Sequence, residues 1–138
     1  MNTGYRILEH PADIGIEATG ASLKEAFENA AMGLLSIITD VDSIDTEEER
    51  YIQLKGTDTQ NLLVKWLSEI LYLYDGEDFV VGRVEIESIS PNRLEAIVSG
   101  EPLVSGKHSM NLDVKAVTYH QLKIQEKKDG CLVRVFFD

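Results

Sequence analysis

A chain of 138 residues fits a single domain, residues 1–138, and is long enough to bury a core without disulfide or metal staples. Its 24 acidic and 13 basic residues give a net charge of −11, which argues against a protein that grips nucleic acid by itself, because phosphate binding relies on clustered cations that release counterions. The imbalance is uneven: residues 1–105 hold 20 acids and 7 bases, and residues 106–138 hold 4 acids and 6 bases, so a surface for a polyanion belongs in the last quarter.

Taken in chain order, residues 1–6 lack the basic segment and apolar run of a secretory signal, and no apolar stretch approaches the ~18 residues that span a bilayer. The expectation is a soluble cytoplasmic protein. Ile14, Ile16 and Ala18 alternate with Glu17 and Thr19, the period of a half-buried strand that ends at Gly20. Ser22-Leu-Lys-Glu25 is a capping box, and behind it Leu23, Ala26, Phe27, Ala30, Ala31, Leu34, Leu35 and Ile38 recur at three- and four-residue steps. The spacing predicts an amphipathic helix over residues 22–39.

Residues 40–50 form an acidic connection. Asp40-Val-Asp42 begins like a calcium loop but offers Ile44 and Asp45 where an acceptor and a turn glycine are needed, so it reads as a solvated loop. Ile52 and Leu54 alternate as in a strand. A second helix follows Asp58 or Thr59, with Leu62, Leu63, Trp66, Leu67, Ile70, Leu71 and Tyr74 on one broad face, and Asp75-Gly76 marks its expected stop.

From Phe79 the period becomes two, through Val84 and Ile86, Leu94, Ala96 and Val98, Val114 and Ala116, and Leu122 and Ile124. Ser90-Pro-Asn-Arg93 is a turn, residues 101–112 read as a loop, and Asp129-Gly130 signals a hairpin into a last strand over residues 131–138. Cys131 is the only cysteine; it cannot form an internal disulfide, which fits a reducing compartment, and nothing nearby lowers its pKa. The expected fold class is α+β, a two-layer fold with two helices packed on one face of a mostly antiparallel, mixed sheet.

No nucleophile elbow, phosphate-binding glycine loop or His-Glu-x-x-His helix occurs. Three short segments hold the candidate chemistry. In His10-Pro-Ala-Asp13 an imidazole and a carboxylate flank a proline before a strand; the aspartate either caps a turn or serves a site. In Lys115-Ala-Val-Thr-Tyr-His120 a cation and an imidazole bracket one apparent strand, as phosphate donor and proton carrier or as solubilising groups on an edge. The last residue, Asp138, puts its side-chain carboxylate beside an α-carboxylate, hard oxygens suited to Ca²⁺ or Mg²⁺, with Asp13 as a natural partner if the first and last strands are neighbours.

Together, His10-Pro-Ala-Asp13-Ile-Gly, the strand and Ser-capped helix after it, Val114-Lys-Ala-Val-Thr-Tyr-His120 and the terminal Phe-Phe-Asp138 resemble the archease family over nearly the whole chain. The resemblance implies a non-enzymatic cofactor protein that helps an RtcB-type tRNA-splicing RNA ligase become guanylylated and turn over repeatedly, with GTP and divalent metal consumed by the ligase. It also implies, as an alternative, a chaperone-like modulator of a tRNA cytosine methyltransferase. The family's metal site falls here on Asp13 and Asp138, with Ca²⁺ the first choice and Mg²⁺ or Mn²⁺ the alternatives. Lys115 matches its functional lysine, and His10 and His120 lie in the same two segments. Members commonly carry one aliphatic residue after the last aspartate, whereas this sequence stops at Asp138. A small metal-dependent hydrolase and direct RNA binding through lysines such as Lys107, Lys115 and Lys123 are weaker readings, since two carboxylates are few ligands and the charge opposes RNA.

Overall fold

The computed structural model describes residues 4–9, 13–104 and 113–138. In chain order these are β1 (Gly4–Glu9), β2 (Ile14–Gly20), α1 (Leu23–Ile38), a short 3-10 turn (Val41–Ser43), β3 (Glu48–Lys55), α2 (Thr59–Glu77), β4 (Phe79–Ser90), β5 (Arg93–Pro102), β6 (Lys123–Lys127) and β7 (Gly130–Phe137). Among the described residues no helix is long and apolar enough to cross a membrane.

Both helices start where their caps dictate. The Ser22 hydroxyl accepts the Glu25 N–H at 3.2 Å, and the Asp58 carboxylate accepts the Asn61 N–H at 2.8 Å, each satisfying a donor that the first helical turn leaves open. On α1, Ala26, Phe27, Ala30, Ala31 and Leu34 are fully buried, as are Leu62, Leu63, Trp66 and Leu67 on α2. The Trp66 indole N–H donates to the Phe27 carbonyl at 2.9 Å, so the largest core side chain also ties the helices together without leaving its one donor unpaired. The stop expected at Asp75-Gly76 falls two residues later: α2 runs to Glu77, and Asp78 takes the left-handed conformation (φ 51°) while its N–H caps Leu73. Gly76 stays helical; a Cβ on it would come 2.5 Å from Tyr72 Cε1, because the tyrosine ring lies against the bare glycine.

The α+β class is as expected, but the strands divide into two sheets, ordered β1-β2-β7-β6 and β3-β5-β4, and every pairing between them is antiparallel. Side-chain alternation encodes a strand and its buried face, not its partner, and this is why one sheet was the simpler expectation. Helix α1 lies on β1, β2 and β7 and reaches β4, while α2 lies on β3, β4 and β5 and reaches β6. Between them the buried faces of both sheets close one core, including Ile16, Ala18, Ile86, Leu94, Ala96, Val98, Val133 and Val135.

Four local features differ from expectation. Strand β1 was not anticipated: Arg6, Ile7 and Leu8 do not alternate cleanly, and as an edge strand it leaves Tyr5 and Ile7 44% and 45% exposed. The strand expected around Val114 and Ala116 is irregular backbone, with one isolated bridge between Val117 and Phe137. The 128–131 hairpin forms, but the positive φ sits on Gly130 (153°) and not on Asp129, since Lys127 already pairs with Gly130 and Lys128-Asp129 make the turn. Of the loop expected over 101–112, Glu101 and Pro102 close β5, and residues 105–112 lie outside the described residues.

Candidate functional site

Strands β2 and β7 are the two central strands of the first sheet, and their antiparallel register sets Ile14 opposite Phe137. Asp13 directly precedes Ile14 and Asp138 directly follows Phe137, so the register brings the two aspartates to the same end of the same strand pair. On the other flank of β7, the Asp138 N–H donates to the Ala116 carbonyl at 2.9 Å and the Lys115 N–H donates to the Asp138 carbonyl at 2.8 Å. The backbone of Asp138 thus has Asp13 on one side and Lys115 on the other. Asp13 is half-buried, and Lys115 and Asp138 are exposed.

Residues 115–118 reach this position through a bend. Gln121 is left-handed (φ 52°), the Leu122 N–H bonds the Tyr119 carbonyl at 3.1 Å, and β6 then continues along β7. Thr118 fastens the near side: its N–H and its hydroxyl both donate to the Phe136 carbonyl, at 3.1 Å and 2.9 Å. Its hydroxyl oxygen also accepts the His120 N–H at 3.3 Å. The Tyr119 hydroxyl accepts from Asn61 Nδ2 at 2.7 Å, which anchors the segment to the start of α2. His120 is exposed, and its ring centroid stands 6.4 Å from that of Phe136, tilted by 59°. His10 lies outside the described residues. Thr118, Tyr119 and Asn61 were not singled out from sequence; the only available signal was a threonine and a tyrosine between the lysine and the histidine.

Among the described residues none of Asp13, Lys115 and Asp138 joins an ion pair; those found are Arg6–Glu17, Arg50–Glu48 and Arg83–Glu85. The fold therefore brings the backbones of Asp13, Lys115 and Asp138 to one sheet end, and among the described residues no ion pair neutralises their side chains. No group of three His, Cys, Asp or Glu residues able to hold a metal occurs among the described residues. Two carboxylates with backbone carbonyls nearby form an oxygen-only donor set, which fits a hard divalent cation that keeps several waters and not a thiolate- or imidazole-seeking metal. Cys131 is buried in the core, and burial, helped by Glu126, pushes its thiol up to about 11. At neutral pH it is a packed thiol and not a nucleophile.

Comparison with known proteins finds relatives over nearly the whole chain. The family described as "Archease protein family (MTH1598/TM1083)" matches residues 5–138. The protein named archease from Methanosarcina acetivorans is 38% identical over 138 residues, covering 97% of this chain and 94% of its own. Its counterpart from Thermococcus gammatolerans is 41% identical over 125 residues, covering 88% of each chain. Among solved structures, Methanobacterium thermoautotrophicum protein 1598 superposes with a TM-score of 0.81 at 30% identity and 98% coverage of both chains. A Thermotoga maritima protein described as an archease, possible chaperone, gives 0.66 at 25% identity, covering 95% of this chain and 94% of that one.

Proposed function

The chain belongs to the archease family, and from that premise we propose that it is a non-catalytic, cytoplasmic accessory protein of an RtcB-type RNA ligase. On this reading it promotes the ligase's guanylylation and repeated turnover. The observation that carries the reading is the exposed end of the β2–β7 pair, where the Lys115 and Asp138 backbones are bonded at 2.8 Å and Asp13 lies across the register. An open set of unpaired charges on a sheet end suits docking against another protein's centre better than it suits enclosing a substrate.

Asp13 and Asp138 would hold a divalent cation, Ca²⁺ first and Mg²⁺ or Mn²⁺ otherwise, which when bound supplies charge that draws phosphate oxygens. Lys115 is free to donate to a phosphate or nucleotide on the ligase, since no carboxylate among the described residues occupies it. Thr118, through the Phe136 carbonyl, holds Lys115 at the correct place along β7. His120 borders the same end, its ring centroid 6.4 Å from that of Phe136. The net charge of −11 suits a protein that meets RNA chemistry through an enzyme and does not grip RNA itself.

The test is a titration of guanylylation and multiple-turnover ligation by the purified ligase. The expected result is stimulation by the wild-type protein, with Asp13→Ala, Asp138→Ala and Lys115→Ala each losing about tenfold or more of it. Calorimetry with Ca²⁺ should show weakened binding for the two aspartate variants and unchanged binding for Lys115→Ala. Full stimulation by all three variants overturns the reading. A second reading, a chaperone-like modulator of a tRNA cytosine methyltransferase, is supported by the description of the Thermotoga relative as a possible chaperone; it predicts suppressed aggregation of that enzyme and no effect on the ligase. A metal-dependent hydrolase has the least support, because no third His, Cys, Asp or Glu joins the aspartates among the described residues.

A further inference from the structure

The seam between α2 and residues 113–117 holds an open groove of about 310 Å³, bounded by Leu71, Tyr72 and Asp75 of α2 and by Lys115, Ala116 and Val117. With Ser68, which also lines it, four of its seven side chains are apolar. Tyr72 is 53% exposed. Its ring lies along α2 because Gly76 has no side chain to displace it, a Cβ there falling 2.5 Å from Tyr72 Cε1. That posture leaves the groove open.

An adjoining cleft, bounded by Tyr74, Asp75, Asp113 and Val114, continues the seam. Neither Asp75 nor Asp113 joins an ion pair among the described residues. Burial, and then the charge of Asp113, pushes the Asp75 carboxyl above the usual carboxylate range, as expected of a partly buried acid with a like charge nearby. The seam is therefore apolar along its length and negative at one end, and Lys115 belongs both to it and to the charged sheet end.

We propose that this groove docks a segment of the partner protein that carries an apolar side chain beside a basic one, the apolar group between Tyr72 and Val117 and the basic group against Asp75 and Asp113. The proposal rests on the accessory reading and adds a binding determinant to it: the groove supplies affinity, and the Asp13–Lys115–Asp138 end acts on the docked enzyme. A central aromatic wall with a polar rim is the arrangement in which few residues dominate an interface, and uncompensated carboxylates select a cationic partner group.

The experiment titrates ligase guanylylation with wild-type protein, Tyr72→Ala, Ser68→Arg, Asp75→Lys and Lys115→Ala. Ser68 lines the same groove, and an arginine there fills it. The three groove variants should raise the half-stimulating concentration about tenfold or more and keep the plateau, whereas Lys115→Ala lowers the plateau. Thermal melts check the fold, and Tyr72 and Asp75, both exposed, should leave it intact. Wild-type stimulation matched within about twofold by Tyr72→Ala and Ser68→Arg overturns the groove proposal alone. A wild-type protein that never stimulates the ligase overturns the accessory reading and the groove proposal with it.

Discussion

Thr118 directs two donors at one acceptor, the Phe136 carbonyl, and so adds a side-chain fastening to the backbone bonds that Lys115 and Ala116 make with Asp138. A valine has nearly the same shape and no hydroxyl, so Thr118→Val leaves packing intact while removing one donor to Phe136 and the acceptor for the His120 N–H. Urea denaturation should show a loss of about 1 kcal/mol, and ligase stimulation should fall because residues 115–117 lose a fastening. Thr118→Ser keeps the hydroxyl and should recover both. Equal stimulation by the valine and serine variants would sink the fastening role. Cys131 illustrates the opposite case, a chemically able group made inert by its surroundings: the core around it raises its pKa to about 11.

At the scale of elements, Gly100, near the end of β5, is the most tightly approached glycine of the second sheet. Gly100 packs so tightly beside β4 that a Cβ would overlap the Val80 carbonyl oxygen and crowd Val81 Cα at 2.9 Å, next to the register shift between Val81 and Arg83. Backbone atoms cannot rotate away as a side chain does. Gly100→Ala should therefore cost about 2–3 kcal/mol in chemical denaturation, the overpacking range, and a change under about 0.5 kcal/mol, as for a neutral surface site, would refute the close approach. Local features of this kind differ in how far the sequence discloses them. Ser22 and Asp58 announce their helices because capping is chemistry between residues three apart. The burial of Ile16 and Ala18 and of Leu94, Ala96 and Val98 follows from alternation alone. Strand β1 escaped because Tyr5 and Ile7 sit at a sheet edge that α1 covers incompletely, so no burial contrast marks its period. Residues 114–116 alternate like a strand yet follow no ladder, since Thr118 and Asp138 impose their own hydrogen bonds. The meeting of Asp13 with Asp138 was legible only as a condition, because strand partnership over such a separation is fixed by the packing of the whole core and not by either segment.

At the scale of the whole molecule, the acid excess lies in residues 1–105, while β7 carries Arg134 with Lys123 opposite it on β6 and has Lys115 bonded at its end. On the accessory reading proposed above, the first region would attract a basic, RNA-handling enzyme at long range and the second would meet it at contact. Raising salt shortens the screening length from ~10 Å at 0.1 M toward ~3 Å at 1 M, so the half-stimulating protein concentration should climb about tenfold or more over that range. A flat salt response would remove the electrostatic part of the proposed association. The position of β7 carries a last consequence. It lies between β2 and β6, with residues 115–118 along its end, so the centre of the first sheet arrives from the far end of the sequence. Closure over nearly the full chain is slow compared with the local β1–β2 hairpin and the docking of α1. A partly folded molecule holds Asp13 alone, with neither companion beside it. If that sheet end is the surface a partner reads, it doubles as a maturity check: an enzyme that requires all three groups would engage only molecules whose folding is complete.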